Sequence, residues 1–289
     1  MNSPIDSQAG FSPPRPRVSV VVPAFRNAEH LAQTLDSILA QDYDDYELIV
    51  ADHASDDDTP GILARYVDHP KVRVLAPTPP GGGALANWNR VSAEARGELL
   101  KLVCGDDLIA PDSLSAQVAA FDAHPSVVLV ACQRDLVDTH GRVIMRARGL
   151  AHLDGLVSGK AAVRAALRAG TNIFGEPGCV MFRRDLLVHM GGWDNSHPYL
   201  IDQATYTGIM LGGDVFAIRR SQACFRISAG QWSVRLMRYQ SDQAIAFHRE
   251  LRRRNPGLIS GGDLLLGNLR AVSMAIGRRA AYFWFRRRM

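Results

Sequence analysis

The sequence feature that most constrains the fold is an alternation of short apolar runs with helical patterns over the first 120 residues. The apolar runs, rich in β-branched residues, are Arg17–Pro23, Tyr46–Ala51, Val72–Leu75 and Lys101–Val103. Helices are predicted to begin at Asn27, to run through Ser55–Tyr66, and to cover Leu85–Ala95 and Pro111–Phe121. Strands that alternate with helices of this length predict βαβ units and a parallel sheet.

The pattern changes in the second half of the chain. Val127–Leu136 and Arg142–Ala147 flank the turn sequence Asp138-Thr139-His140-Gly141, which predicts an antiparallel hairpin. Further strands are expected over 178–182 and 214–219, and helices over 160–169, 185–190 and 201–211. We therefore predict a Rossmann-like mixed α/β sheet, mainly parallel, flanked by helices and shared by both halves.

Composition divides the chain into three parts. Residues 1–16, with several prolines and serines, are expected to be a disordered lead. Residues 17–233 form the predicted sheet domain, and residues 234–289 form a basic, aromatic helical tail. Residues 249–289 contain ten arginines against two acids, a balance of +8, so the net charge of +4 leaves −4 for the preceding part. Because nucleic-acid-binding domains more often carry the basic face on the folded core, we expect no nucleic-acid partner.

Targeting signals and the spacing of the cysteines constrain the predicted cellular location of the protein. No apolar run reaches 18 residues, and the N-terminus lacks the basic and apolar segments of a signal peptide, so neither a transmembrane helix nor secretion is expected. Cys104, Cys132, Cys179 and Cys224 are scattered without CxxC spacing, which favours free thiols over a zinc site. We therefore predict a cytoplasmic location.

Candidate ligand-binding residues follow the apolar runs, because open parallel sheets bind ligands beyond the carboxyl ends of their strands. Pro23-Ala24-Phe25 ends the first run, Asp52 follows the second, and Asp106 and Asp107 follow the fourth. Two adjacent carboxylates repel each other unless a cation lies between them, which indicates a divalent metal carrying a diphosphate. Two other interpretations stay open: Asp52 as a cap or turn residue, and the acidic pair as a solvated strand end.

Two nucleotide-binding motifs are missing from the sequence. Without GxGxxG after the first strand, a dinucleotide-binding dehydrogenase is disfavoured, and without GxxxxGK[ST] a P-loop hydrolase is disfavoured. The glycine run 81–83 is interpreted as a flexible lid or hinge.

Several motifs occur in the order and spacing of one known family. Val18–Phe25 resembles the opening strand of the family 2 glycosyltransferases, which have the GT-A fold, and Val50–Thr59 resembles their Asp-Asp-Gly-Ser-Thr-Asp-x-Thr sequence. The remaining matches are Asn87–Arg90 with Ala95–Glu98, Gly191–Asp194, Asp202, Gly213–Val215 and Phe225–Ile227. The resemblance extends from about Val18 to Ser233.

The resemblance implies an inverting transferase that moves a sugar from a nucleotide-diphosphate donor to an acceptor hydroxyl. Asp107 and Asp106 match the ligands of a Mg²⁺ or Mn²⁺ ion that neutralises the leaving diphosphate, and Asp202 matches the general base, although an ordinary helix cap is its alternative role. The implied nucleotide-sugar-binding residues are Pro23, Ala24, Phe25, Asp52, Asn89, Arg90 and Asp106. For Asn89 and Arg90 a role in the helix itself is an equal alternative. Arg226 either faces the diphosphate or pairs with an acid of the sheet.

The sequence also departs from the family pattern. Cys104 stands at the first aspartate of the metal motif, His53 and Ala54 replace Asp-Gly, Val91 replaces a glycine, and Ser228 replaces a histidine. The Gln-x-x-Arg-Trp signature of processive polysaccharide synthases is missing, so we predict single transfers.

The tail predicts two helices, Val234–Arg254 and one led by Asp263. The second helix carries Leu265, Leu269, Val272, Ile276 and Phe283 on or near one face, and aromatic residues and Arg286–Arg288 follow. It either packs on the sheet or lies on an anionic membrane surface. The membrane interpretation suits a lipid-linked acceptor, the inner face of the plasma membrane, and synthesis of a cell-surface glycan or glycolipid. The alternatives to a transferase are a catalytically weak sugar- or partner-binding homologue and a nucleotidyltransferase.

Overall fold

The computed structural model describes residues 15–227 and 239–285, the last six of these by their backbone only. The strands are β1 Val18–Ala24, β2 Tyr46–Asp52, β3 Val72–Val74, β4 Leu99–Leu102, β5 Leu108–Ile109, β6 Val127–Val137, β7 Val143–Arg148, β8 Gly155–Ser158, β9 Val180–Arg183 and β10 Asp214–Arg226. The helices are α1 Leu31–Leu39, α2 Thr59–Leu63, α3 Gly83–Ala93, α4 Ser113–Ala123, α5 Gly159–Ala169, α6 Arg184–His189, α7 Ile201–Met210, α8 Gln240–Arg254 and α9 Gly261–Phe285. Short 3₁₀ helices cover Ala64–Tyr66 and Pro177–Cys179.

All ten strands belong to one sheet, as predicted for the two halves. The order is β3-β2-β1-β4-β9-β6-β10-β5, with β7 on β6 and β8 on β10. From β3 to β4 the strands are parallel, whereas β9 is antiparallel to both β4 and β6. The long strand β10 then runs parallel to β6. The predicted hairpin of β6 and β7 is confirmed.

The parallel half forms because its strands are apolar on both faces. Every residue of β1 and β2 is buried, so neither strand shows the alternation of a half-exposed strand. Helix α1 buries Leu31, Leu35 and Ile38 against this sheet. The chain therefore places the ends of β1, β2 and β4 along one edge of a rigid layer.

Some predicted boundaries are wrong, for local reasons. Helix α1 begins at Leu31 rather than Asn27, because Asn27 forms a turn in which its side-chain Oδ1 accepts from the Phe25 N–H at 2.8 Å. Strand β10 continues to Arg226 past the predicted end at Arg219, because irregularities near Ile218 break the polar–apolar alternation. The short strands β5 and β8 were not predicted at all.

Helix α9 packs on α5 through small residues. A Cβ added to Gly267 would lie 2.4 Å from the Leu167 carbonyl oxygen, so the helices approach too closely for any side chain there. Ala271 and Ala275 are buried next to it. Leu265, Leu269, Val272 and Ile276 of the apolar face predicted for α9 are instead exposed to solvent, so these four residues do not pack on the sheet. No helix among the described residues is long and apolar enough to cross a membrane.

Some predictions concern residues outside the described ranges. These are the disorder of residues 1–14, the departure at Ser228, the first residues of the helix expected from Val234, and Arg286–Arg288; the side chains of Tyr282–Phe285 are likewise not described. The domain boundaries at 16/17 and 233/234 stay predictions.

Candidate active site

The ends of β1 and β2 are joined by Asn87, which belongs to the family-like sequence Asn87–Arg90 but to which the sequence assigned no role of its own. Ala24 and Asp52 are register neighbours at the last positions of their strands. The buried Asn87 side chain of α3 donates to the Ala24 carbonyl at 3.1 Å and to the Ala51 carbonyl at 2.9 Å. Its Oδ1 accepts from the Thr78 hydroxyl at 2.7 Å, so all of its polar atoms have partners. The sequence signal for this role of Asn87 is its position four residues before Val91, which places both residues on the same face of the helix. Val91 is fully buried, so this face points into the protein.

Asp52 is held as an acceptor at the edge of the sheet. It is 4% exposed, and its carboxylate accepts from the Ser55 N–H at 3.0 Å and from the Ser55 hydroxyl. The interpretation as a turn residue therefore holds, and it is compatible with a ligand-binding role at the same strand end. Pro23 and Ala24 are buried in β1, and Phe25 is 43% exposed beside them.

His53, which departs from the family pattern, lies at the same edge of the sheet. The His53 ring lies 5.8 Å from the Phe25 ring, and its Nε2 lies 2.8 Å from the Gly81 carbonyl oxygen. Since a carbonyl only accepts, His53 donates and fixes the start of the glycine run 81–83. The side chain that replaces an aspartate of the family thus connects this loop to Asp52.

The acidic pair lies in a turn that Arg226 organises. Asp107 is 2% exposed, and its Oδ1 accepts from the Arg226 backbone N–H at 3.0 Å. The Arg226 Nε donates to the Asp106 carbonyl at 2.9 Å, and the guanidinium also donates to Gln33 at 2.9 Å and to the Thr139 carbonyl at 3.0 Å. Arg226 therefore links both acids of the turn to Gln33 and Thr139, which agrees with its alternative role beside an acid of the sheet, while a role at the diphosphate stays a prediction.

The turn places the charge of Asp106 next to the buried Asp107 carboxyl group. Burial, and then the charge of Asp106, raises the pKa of Asp107 well above its usual range, against the opposing hydrogen bond from Arg226. Gly105, between Cys104 and the two acids, has no room for a side chain, because an added Cβ would lie 2.5 Å from Asn27 Oδ1. Burial also raises the pKa of Cys104, so this position carries a neutral thiol.

Asp202 lies in the first turn of α7 without acting as its cap. The N-cap is Leu200, which makes no side-chain capping bond, so the alternative of an ordinary cap is wrong. The Asp202 carboxylate accepts from the Asn172 side chain at 2.8 Å and from the Gln203 N–H at 2.7 Å. Burial raises its pKa to about 6, and the charge of Glu176 adds to the rise, while both hydrogen bonds oppose it.

Glu176 is a second site residue that the sequence reasoning did not assign. It forms an ion pair with the half-buried Arg134, whose Nη2 lies 3.2 Å from Glu176 Oε1. The charges of Asp106, Asp107, Asp202 and Glu176 all raise the pKa of the Cys104 thiol, so all four carboxylates lie within electrostatic range of that side chain. Its sequence context, a loop ahead of Pro177, contained no signal for this role.

Asn89 and Arg90 lie on α3, and the side chain of Asn89 forms a hydrogen bond to a neighbouring turn. Its Oδ1 accepts from the Trp193 N–H at 2.9 Å, which holds the Gly191–Asp194 turn against the helix. Arg90 is half-buried on the same helix. Donor binding by these two residues stays a prediction.

The residues present fit a divalent cation bound together with its substrate. Within the described ranges no group of three His, Cys, Asp or Glu residues is arranged to hold a metal by itself. Mg²⁺ is typically held by one or two carboxylates plus substrate phosphates, rather than by an all-protein cage. The buried Asp107 beside Asp106 offers such a pair, and a cation would relieve the repulsion that raises the pKa of Asp107.

Comparison with known proteins agrees with the geometry. The model of the family described as glycosyl transferase family 2 matches residues 19–191. The uncharacterized protein MT1568 of Mycobacterium tuberculosis is 30% identical over 240 residues, which are 80% of this chain and 73% of that protein. The putative glycosyltransferase EpsE of Bacillus subtilis is 32% identical over 127 residues, 44% of this chain and 46% of EpsE, so the match spans less than half of that relative.

Solved structures share the fold. The mannosyltransferase PcManGT of Pyrobaculum calidifontis, in complex with GDP-Man and Mn²⁺, superposes with a TM-score of 0.63 at 23% identity and covers 92% of this chain and 76% of its own. S. aureus TarS 1-349, in complex with UDP-GlcNAc, gives a TM-score of 0.65 at 18% identity and covers 82% of this chain and 66% of its own. The predicted GT-A type of α/β fold is confirmed.

Proposed function

The chain belongs to glycosyltransferase family 2, and we propose that it transfers one sugar at a time from a nucleotide-diphosphate donor to an acceptor hydroxyl, with inversion at the anomeric carbon. The observation that carries the proposal is that Asp106, Asp107, Glu176 and Asp202 all lie within electrostatic range of Cys104, two residues beyond the end of β4. The half-buried Asp202 carboxylate, which accepts only from neutral donors, would supply the base, and the acidic turn with a bound cation would neutralise the charge of the leaving group.

The donor nucleotide would lie across the ends of β1 and β2. Pro23-Ala24-Phe25 would provide a backbone and apolar wall for the base, and Asp52 would accept a hydrogen bond from the base or ribose. Asn89 and Arg90 would close over the donor from α3. The solved relatives named above bind UDP-GlcNAc and GDP-Man, so donors of both base types belong in any screen.

Asp107, together with Asp106, would hold a Mg²⁺ or Mn²⁺ ion. When bound, the ion neutralises the negative charge that develops on the leaving diphosphate. Asp107 suits this role because it is held in place by the Arg226 N–H yet keeps a carboxylate that burial makes unfavourable without a counter-charge. Cys104 contributes no charge there, so the two aspartates and the diphosphate would supply the anionic ligands.

Asp202 would act as the general base. The acceptor hydroxyl oxygen forms a bond to the anomeric carbon, its proton moves to Asp202, and the bond from that carbon to the phosphate oxygen breaks, releasing the nucleoside diphosphate. The pKa of about 6 lets Asp202 be ionised at neutral pH and still basic enough to receive a proton. The Asn172 amide fixes the orientation of the carboxylate.

The remaining parts of the chain suit an acceptor at a membrane surface. Residues 17–233 would form the transferase unit, and the basic tail, residues 234–289, would hold it at the inner face of the plasma membrane. A lipid-linked acceptor would then place the reaction in the synthesis of a cell-surface glycan or glycolipid.

A thermal-shift screen of nucleotide sugars with Mn²⁺ tests the proposal, because a ligand that binds only the folded state raises the unfolding temperature. The donor that gives the largest shift is then assayed for turnover with wild type, Asp107→Ala and Asp202→Asn. We expect both variants to lose turnover, with Asp202→Asn still binding the donor. Unchanged turnover in both would refute the site, donor binding without turnover in wild type would indicate the binding homologue, and release of inorganic pyrophosphate would indicate a nucleotidyltransferase.

A further inference from the structure

Helix α9 presents an apolar stripe to solvent. The stripe consists of Leu265, Leu269, Val272 and Ile276, which are 63%, 62%, 40% and 61% exposed. Their spacing of four, three and four residues places them on one side of the helix. The helix already packs on α5 through Gly267 and Ala271, so the stripe is left over after the tail has docked on the domain.

A basic groove adjoins the stripe. The groove, of about 1050 Å³, lies between α5 and the tail helices, and none of its lining residues belongs to the candidate active site. Its cationic lining residues are Lys160, Arg164, Arg168, Arg254 and Arg270. Asp263 pairs with two of them and Glu250 with a third, so these two acids leave an excess of three positive charges.

The groove reaches one flank of the stripe at Arg270. Arg270 lines the groove and directly follows Leu269 of the stripe, and successive residues of an α-helix are about 100° apart around its axis. The sequence adds Arg286–Arg288 after the helix, which increases the positive charge of the same tail.

We propose that this surface of α5 and α9 binds an anionic phospholipid membrane, with the α9 stripe at the acyl boundary and the groove cations at the lipid phosphates. An apolar stripe beside arginine and lysine is the arrangement by which a helix lies in the plane of a membrane interface. The inference names the surface for the membrane contact contained in the proposed function, and it does not depend on sugar transfer.

The size and charge of the surface favour a membrane over a second copy of the chain. Four half-exposed aliphatic side chains form a patch of roughly a few hundred Å², below the about 800 Å² per partner that a specific protein interface buries. Two copies meeting through this surface would also bring two positive grooves together, which costs free energy unless an anion intervenes. A membrane needs no shape complementarity and supplies the negative charge.

Co-sedimentation of the full chain with phospholipid vesicles tests the proposal. Wild type is expected to bind vesicles of phosphatidylcholine with phosphatidylglycerol, and to bind pure phosphatidylcholine vesicles more weakly. Leu265→Asp/Leu269→Asp should weaken binding by about tenfold or more, and Lys160→Gln/Arg270→Gln should remove the preference for the anionic lipid. Val67→Asp is the matched control, because Val67 is also an exposed apolar residue, at 53%, outside the tail.

Each result decides the proposal. Thermal unfolding first verifies that the variants are folded, which is expected because the substituted side chains are exposed. Failure of wild type to bind anionic vesicles, or equal binding by wild type and the double aspartate variant, would overturn it. A dimer in light scattering that the double aspartate variant abolishes, without vesicle binding by wild type, would identify a second copy as the occupant. Thermal shifts with nucleotide sugars on the same samples report donor binding separately, so failure of one proposal is distinguishable from failure of the other.

Discussion

Asp202→Asn is expected to stabilise the protein while it abolishes sugar transfer. Burial raises the pKa of Asp202 from 3.8 to about 6, so the folded chain holds the neutral acid better than the carboxylate. One pKa unit corresponds to about 1.4 kcal/mol, so ionised Asp202 costs the folded state on the order of 3 kcal/mol relative to the unfolded chain. The native residue is therefore a local source of instability that a neutral side chain would remove.

The expected gain is smaller than this cost and depends on pH. Asparagine keeps only one of the two acceptor oxygens that bond Asn172 and the Gln203 N–H, and the lost hydrogen bond costs about 1 kcal/mol. The net gain is then about 2 kcal/mol at pH 8. The cost is absent below pH 3.8, where both states are protonated, grows between 3.8 and about 6, and is complete above that. Near pH 4 the gain should therefore be lost, leaving only the cost of the missing hydrogen bond, about 1 kcal/mol.

Thermal unfolding at pH 8 and pH 4 measures the effect without any knowledge of the substrate. A gain of about 2 kcal/mol raises the unfolding temperature of a chain of this size by several degrees. Asp194→Asn is the control, because its Oδ1 can still accept from Ser196 and no comparable gain is expected. A lower unfolding temperature of Asp202→Asn at pH 8, or an equal gain at pH 4, would refute the burial argument. In the donor assay the same variant should lose about 10²–10⁴-fold in turnover, the usual contribution of a general base.

Three further predictions address the surroundings of the site and the tail. Glu176→Gln removes a charge that raises the pKa of Asp202, so the acidic limb of the pH–rate profile should move to lower pH. Asn172→Ala removes a hydrogen bond that lowers the same pKa, so this variant should move the limb to higher pH. Shifts of both variants in the same direction would contradict both assignments. Asn87→Ala leaves two buried strand-end carbonyls without a donor and should lower the free energy of unfolding in urea by about 2–3 kcal/mol, whereas an unchanged midpoint would show that the bridge is dispensable. Burial alone would raise the pKa of Asp263, but its hydrogen bonds and ion pairs lower this pKa to about 2. The stabilisation that Asp263 provides is therefore present above pH 3.8 and lost as the pH falls to 2. In Asp263→Asn the unfolding temperature should depend less on pH across that window.

The parallel half of the fold was predictable because its signals are local. Strands β1 and β2 are continuous apolar runs that end at Ala24 and Asp52, and burial on both faces leaves no other assignment for such runs. Strand β10 was underestimated because an irregular strand loses its period-two pattern near Ile218. For helix α9 the sequence left packing on the sheet and contact with a membrane open, and it did not indicate the face that packs on α5, because Gly267 and Ala271 allow close approach but add nothing to a hydrophobic pattern.

The site was predictable in part for a similar reason. Asp107 and Asp202 occur in motifs with recognisable neighbours, so a single sequence indicated them. Glu176 and Asn87 act through contacts with residues that are distant in the chain, such as Arg134 and the Ala24 carbonyl. Such residues become visible only when the fold brings their partners together.

The partners of the carboxylates also separate the base from its neighbours. Glu176 pairs with Arg134, so its carboxylate is engaged and a proton taken there would break this ion pair. Asp107 accepts from an N–H of Arg226 and faces the charge of Asp106, which suits a site that a cation completes. Asp202 has only neutral donors, Asn172 and the Gln203 N–H, and within the described ranges no lysine or arginine forms an ion pair with it. A carboxylate that is oriented by hydrogen bonds but not neutralised by a cation keeps its basicity, and for that reason the proton of the acceptor is assigned to Asp202 and not to Glu176.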